Sequence, residues 1–361
     1  MKNILIITPA MDKGGMERQL SIFFNEFDRS KYQVSLAVLI NRIQYQIPAD
    51  VQLIDLKKKR KLDFMFYYRL IRLVISGKYD LINTKLSGIN EMLMIICGIF
   101  RRKELIVEIR SSGNRMLPFY KKMKWLYQIF RINSPVICNS QKAAEEIKKF
   151  IPGRIPVHVV RNGIDTSYFV PPTTPAVKNQ VLELGFVGSF KPVKNIELLL
   201  KAVHLLDTRH QIKCTLTIVG MMQEKVKGHQ QVLLDLEQEL KVTSFVHWAG
   251  VTNDIKTYYD KFDVFILPSF EEGTPNVLLE AMSCGCFCLV SKQANSDQYI
   301  SEEFTFDAYE PQTLVDKLIW YQQLSEASIS ASRVKNRKFV EQRYSITQMV
   351  DNMSQIYSTS F

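Results

Sequence analysis

Glu272 and Glu280 stand eight positions apart in the run FEEGTPNVLLEAMSCG at 270–285, and they are the first candidates for chemistry. Glu280 sits beside Val277, Ala281 and Cys284, which share a helix face at the three-and-four spacing. A carboxylate set into such a face is costly unless something hydrogen-bonds to it. Glu272 poses the same problem in the loop before the helix. A salt-bridged surface glutamate and a second one packing its stem would fit these residues equally well, and chemistry alone does not separate the readings. A second group of candidates is Lys191 and Lys194 in the run GFVGSFKPVKN, just after Gly188. Fixed cations at the end of a strand stabilise a leaving diphosphate as its negative charge develops. A third is the pair Gly14–Gly15, where backbone without side chains can approach a ligand at a helix N-terminus.

These groups need elements to position them. FDVFILPS and CFCLVS read as short buried strands. Between them Thr274 is expected to cap a helix, Pro275 to be its first residue and Gly285 to stop it. The unit is strand, loop, helix, strand, and the same grammar recurs along the chain. KNILIITPAM is a strand before a helix whose buried face carries Met16, Leu20, Phe23, Phe24 and Phe27. LELGFVG and TLTIVG are strands followed by helices in the second half. In an open α/β sheet, ligands bind at the carboxyl ends of the strands, and helix N-terminal amides favour phosphate.

Glu272, seven residues, then Glu280 resembles the E-x(7)-E signature of retaining glycosyltransferases of family 4, and EGTPNVLLEAMSCG is close to that family's text at almost every position. RNGIDTSYFVP at 161–171 resembles the segment that ends the family's N-terminal domain. The resemblance implies an α/β protein of the GT-B fold, two facing Rossmann-like domains with a cleft between them. It implies residues 1–170 as the acceptor-binding domain, 171–180 as linker, 181–343 as the nucleotide-sugar domain and 344–361 as a helix returning to the first domain. It also assigns roles. Glu272 would contact hydroxyls of the transferred sugar, Glu280 the nucleotide ribose, and the amides of Gly273, Thr274 and Asn276 around Pro275 the diphosphate. Gly250 and Val251 would meet the base, and Gly14–Gly15 would lie over the donor phosphates and the acceptor. Lys194 matches the family's lysine, but Ser189 stands where an arginine is usual, so Lys191 is expected to supply the second cation. Many members carry a histidine after the strand ELIVEIR that contacts the sugar. This chain has Glu108, Arg110 and Ser111 there and none of its five histidines, so Arg110 is the candidate for that contact or for an acceptor phosphate. LVSKQANSDQYI replaces the family's glycine-bearing loop.

By this resemblance the reaction is retaining transfer from a nucleotide-diphosphate sugar, a UDP-hexose or UDP-N-acetylhexosamine, to a glycan or polyprenyl-diphosphate-linked acceptor in surface-polysaccharide or lipopolysaccharide-type synthesis. GDP-mannose enzymes share the same frame. No D-x-D occurs, so no metal and no cofactor beyond the co-substrate is expected, with lysines and helix amides carrying the charge.

The charge is uneven: residues 1–170 hold 29 Lys and Arg against 14 Asp and Glu, whereas the remainder holds 18 against 22. Basic stretches with interleaved aromatics, KKKRKLDFMFYYRLIRL and NRMLPFYKKMKWLYQIF, suit an anionic membrane surface, although helices with a solvated basic face would read alike. No apolar run reaches the ~20 residues of a membrane span. Six cysteines without metal-site spacing read as reduced core thiols, which implies a cytosolic location, peripheral on the inner face of the cytoplasmic membrane. Rival readings are a sugar-nucleotide epimerase of the same architecture, a nucleic-acid-binding protein and an NAD-dependent oxidoreductase. The usual nucleic-acid modules are absent, and so is a G-x-G-x-x-G after the first strand.

Overall fold

The structure is a computed structural model, and it describes residues 1–12, 14–60, 62–85, 89–100, 105–110, 116–130, 133–173, 181–221 and 227–360. The chain divides into two compact units, Met1–Gly163 with Ile346–Phe361, and Ile164–Ser345. The expected boundary at 170 therefore falls late. Residues 164–170 belong to the second unit because Ile164 N donates to Tyr344 O and Arg337 donates to Phe169 O. The return to the first unit likewise comes at Ile346, not 344. Most of the expected linker, and Ser111, lie outside the described residues.

The first unit alternates strand and helix: β1 (Lys2–Thr8), α1 (Gly15–Glu26), β2 (Tyr32–Val38), β3 (Gln52–Asp55), α2 (Phe64–Ile75), β4 (Leu81–Thr84), α3 (Ile89–Ile99), β5 (Leu105–Ile109), α4 (Leu117–Phe130), β6 (Val136–Cys138), α5 (Gln141–Lys148) and β7 (Val157–Val159). Its strands form one parallel sheet in the order β3-β2-β1-β4-β5-β6-β7. Both faces of β1 are buried, which explains the unbroken apolar run ILII. Leu5 and Ile7 pack with α2 to α5 on one side. Ile4 and Ile6 pack on the other with α1 and the last helix of the chain.

The second unit follows the same plan: β8 (Leu182–Val187), α6 (Ile196–His210), β9 (Cys214–Val219), α7 (Lys227–Glu239), β10 (Val246–Gly250), α8 (Lys256–Tyr259), β11 (Val264–Leu267), α9 (Asn276–Ser283), β12 (Phe287–Ser291), β13 (Thr305–Phe306), α10 (Pro311–Gln323) and α11 (Glu326–Tyr344). Its parallel sheet has the order β10-β9-β8-β11-β12-β13. The closing helix α12 (Ile346–Thr359) joins the first unit, where Tyr357 meets Phe23 and Phe27 edge-on at 6.1 and 5.9 Å. All six cysteines are buried, and none is in a disulfide.

At the carboxyl ends of β8, β9 and β10, backbone meets backbone. Gly188 N donates to Val219 O and Gly220 N to Gly250 O. Gly220 has φ +141°, and a Cβ there would lie 1.8 Å from Gly188 O. Neither the dihedral nor the space admits a side chain. Gly220→Ala is expected to destabilise the protein by about 2–4 kcal/mol. Thermal denaturation followed by circular dichroism measures it, and an unchanged midpoint would remove the constraint.

Candidate active site

The loop between β11 and α9 is built to hold Glu272. Its Oε1 accepts from Lys194 Nζ and from Ser269 Oγ, each at 2.6 Å. The two partners are nearly enclosed, with side chains 19% and 10% exposed for Lys194 and Glu272. Lys194 closes a 3-10 turn, Pro192–Lys194, that starts at Lys191. Asn195 follows in the left-handed conformation, φ 54° and ψ 46°, which asparagine tolerates better than most residues. Its buried Nδ2 donates to Pro268 O (3.2 Å) and Ala308 O (2.8 Å), and Phe270 N donates to Val193 O (2.9 Å). The lysine loop and the glutamate loop are thereby fastened to each other at both backbones.

A further anchor comes from the segment after β12. Ser291 Oγ donates to Ser269 O, and the buried Tyr299 donates to Gly273 O at 3.0 Å. Burial raises the Tyr299 hydroxyl far above its ordinary range, so it remains a donor at any physiological pH. The residues SKQANSDQYI, which differ from the family text, thus pin the loop that carries Glu272.

The start of α9 differs from expectation. Pro275, at φ −80° and ψ 80°, precedes the helix, and Asn276 is its first residue. Asn276 N is turned onto Thr274 O (3.0 Å), so the chain makes a tight turn where a side-chain cap by Thr274 was expected. Gly285, with φ +75°, ends the unit as its sequence position implies.

Glu280 is 3% exposed, and Tyr259 supplies the hydrogen bond that its burial demands. The Tyr259 hydroxyl is shared between Glu280 Oε2 and Val277 O, each 3.1 Å away. Glu280 is therefore held within the second unit by Tyr259. Gly188 follows β8 and Gly250 ends β10 with φ +69°, while Val251 beside it is 59% exposed. A cavity of about 470 Å³ lies there, lined by Phe190, Gly220, Met221, Trp248 and Gly250 among others. Trp248 stacks edge-on against Phe190 at 5.3 Å, and its indole N–H donates to Glu237 at 2.7 Å.

In the first unit, Gly14 precedes α1 with extended backbone and Gly15 opens it. The Glu17 carboxylate folds back to within 2.3 Å of where a Cβ on Gly14 would stand. Burial raises the Glu17 carboxyl. Arg110 is a paired cation: its guanidinium donates to Glu108 and to Asn162 at 2.6 Å each. Glu108 is buried and also receives Lys85. Burial alone would push the Glu108 carboxyl up, but Lys85 and Arg110 outweigh it and hold it below its usual range. No group of three or more potential metal ligands occurs among the described residues.

Sequence reasoning reached Lys194, Glu272 and the glycines through motif spacing. It missed Asn195, Ser269, Ser291, Tyr259 and Tyr299, whose importance depends on contacts across 3 to 113 positions of chain. Only Asn195, beside Lys194 at a turn, carried a local signal.

Comparison with known proteins gives the family. A model described as Glycosyltransferase Family 4 matches residues 13–168, and one described as Glycosyl transferases group 1 matches residues 182–323. UDP-Gal:alpha-D-GlcNAc-diphosphoundecaprenol alpha-1,3-galactosyltransferase of Escherichia coli is 22% identical over 80% of this chain and 77% of its own. N-acetylgalactosamine-N,N'-diacetylbacillosaminyl-diphospho-undecaprenol 4-alpha-N-acetylgalactosaminyltransferase of Campylobacter jejuni is 21% identical over 84% and 85%. Among solved structures, HepE of Anabaena in complex with UDP superposes with a TM-score of 0.80 at 17% identity, covering 99% of this chain and 100% of that one. With both parallel-sheet units of the GT-B type and family models lying end to end over most of its length, the chain belongs to the family 4 glycosyltransferases.

Proposed function

We propose that this glycosyltransferase takes its sugar from a UDP-linked donor, works with retention and without a metal ion, and delivers the sugar to a lipid-linked glycan at an anionic membrane surface. The observation that carries the reading is the Lys194–Glu272 pair at the carboxyl end of β11, beside the N-terminus of α9. A departing diphosphate needs cations and oriented dipoles. Lys194 and Lys191 on the same turn would supply the cations, and the N-terminal end of α9 the dipole. Glu272, held on one oxygen by Lys194 and Ser269, would take hydroxyls of the transferred sugar. In such a site the leaving phosphate oxygen would accept the acceptor's proton on the face from which it departs, which keeps the configuration.

The UDP assignment draws on the Escherichia coli relative, named for UDP-Gal, and on UDP bound to HepE. The cavity beside Gly250, with Trp248 and Phe190 in its wall, suits a planar base. The lipid-linked acceptor draws on the diphosphoundecaprenol compounds in both relatives' names. The membrane surface draws on two helices. α2 exposes Phe64, Met65, Tyr68 and Arg72, and α4 exposes Lys121, Lys122, Lys124, Trp125 and Ile129. Neither helix contains an acidic residue, and both pack on the same sheet face with α3 between them. Exposed aromatics interleaved with cations are what an anionic lipid surface selects. Among the described residues, no helix is long and apolar enough to cross a membrane.

Glu272→Gln, Lys194→Ala and Tyr299→Phe are expected to lower transfer by about tenfold or more, the scale of lost electrostatic positioning. The melting midpoints of Glu272→Gln and Lys194→Ala should stay near that of the wild type, whereas Tyr299→Phe, which leaves Gly273 O without its buried donor, should cost about 1–3 kcal/mol; full activity in all three would remove the site. UDP at a hundred times its dissociation constant should add about 2.7 kcal/mol of stability. The raised midpoint should survive EDTA; a response to GDP or ADP alone would replace the donor assignment. Liposomes with anionic lipid should capture the protein at low salt, and Phe64→Ser with Trp125→Ser should release it. Equal capture by neutral liposomes would overturn the charge argument.

A further inference from the structure

The cavity of about 470 Å³ beside Gly250 has walls that can grip the faces of a planar ring. Phe190, Met221, Leu234 and Trp248 are apolar surfaces, and such surfaces hold one base much as they hold another. Orientation has to come from polar groups, and most of those nearby are already paired. The Trp248 indole N–H is engaged by Glu237 at 2.7 Å. Gly220 N donates to Gly250 O at 2.8 Å, and Phe190 N to Met221 O at 3.2 Å.

One lining side chain still has polar groups to offer. Gln230 stands near the start of α7, and Leu234 and Glu237 follow it at the four- and seven-residue spacing of a single helix face. Glu237 reaches Trp248 in the cavity wall, so this face of α7 is the one that meets the cavity. Gln230 is exposed, which leaves its carboxamide accessible to a ligand, and that carboxamide makes no hydrogen bond among the described residues. Its neighbour Gln231 is tied instead to Asp235 at 2.8 Å. A carboxamide carries a donor and an acceptor side by side in one plane. The edge of uracil presents the complement, an N3–H beside a carbonyl.

We propose that Gln230 reads the edge of the base, its side-chain oxygen accepting from uracil N3–H and its amide N–H donating to the adjacent carbonyl. The assignment rests on the UDP-donor reading and adds to it the side chain that recognises uracil.

The test is isothermal titration calorimetry of the full chain with UDP, with UDP methylated at N3, and with inorganic diphosphate. The wild type should bind UDP about tenfold or more tighter than its N3-methyl derivative, the scale of a lost in-plane hydrogen-bonded pair. Gln230→Leu should weaken UDP to the level of the methylated ligand, make the two equal, and leave diphosphate binding unchanged. A methylation penalty that persists in the variant, UDP binding left at the wild-type level, or an equal loss for diphosphate would each overturn the role of Gln230 while the donor reading stands. Absence of UDP binding to the wild type would remove the donor reading and this assignment with it.

Discussion

The ion pair between Lys194 and Glu272 is the contact on which the second unit's active end depends. As a source of stability such a pair is weak, since removing two charges from water offsets most of their attraction. Its value is positional. It joins a turn after β8 to a loop after β11, two neighbouring strands in the sheet but 78 residues apart in the chain. Asn195, by its side-chain amide, and Phe270, by its backbone N–H, tie the same two loops, so the lysine and the carboxylate are held even when no ligand neutralises them. Such preorganisation is what the proposed departure of a diphosphate would require.

The rest of the second unit serves this end. The central strands β8, β11 and β12 are buried along nearly their whole length, and parallel pairing in register makes the loops at their carboxyl ends emerge side by side. Glycine at 220 lets two of those ends touch through backbone alone. Behind the loop, Ser291 and Tyr299 fasten Ser269 and Gly273, and Tyr259 satisfies Glu280 from below α9. Each is a neutral donor to a backbone or carboxylate oxygen. The first unit solves a similar problem with charge: Glu108 lies between Lys85 and Arg110 at the end of β5, and Arg110 reaches Asn162. The sequence alone could not show that Arg110 is engaged by two partners at its strand end.

What was legible in the sequence follows from local physics. Buried parallel strands need continuous apolar runs, and helices on their faces need three-and-four spacing, so ILII, FILP and the amphipathic runs identify the elements and their order. The spacing from Glu272 to Glu280, with Lys194, was enough for the family and for the two residues that prove to be paired. Boundaries were less legible. The change of unit after Gly163 depends on Arg337 and Tyr344 reaching back to residues 164–169, contacts invisible until the chain is folded. The helix was placed one residue early for the same reason. Thr274 and Pro275 have the composition of a cap, but the loop there is pinned by a tyrosine 26 positions further on.

The sequence by itself thus determined the fold class, the transferase family and the identity of the paired lysine and glutamate, because each rests on periodicity or on spacing within a short stretch. Tertiary structure alone decided which side chains hold them, that Glu280 is buried against Tyr259, and that Arg110 is already paired. The physical reason is range. Hydrophobic burial leaves a repeating signature along the chain, whereas a hydrogen bond between residues brought together by a sheet leaves none.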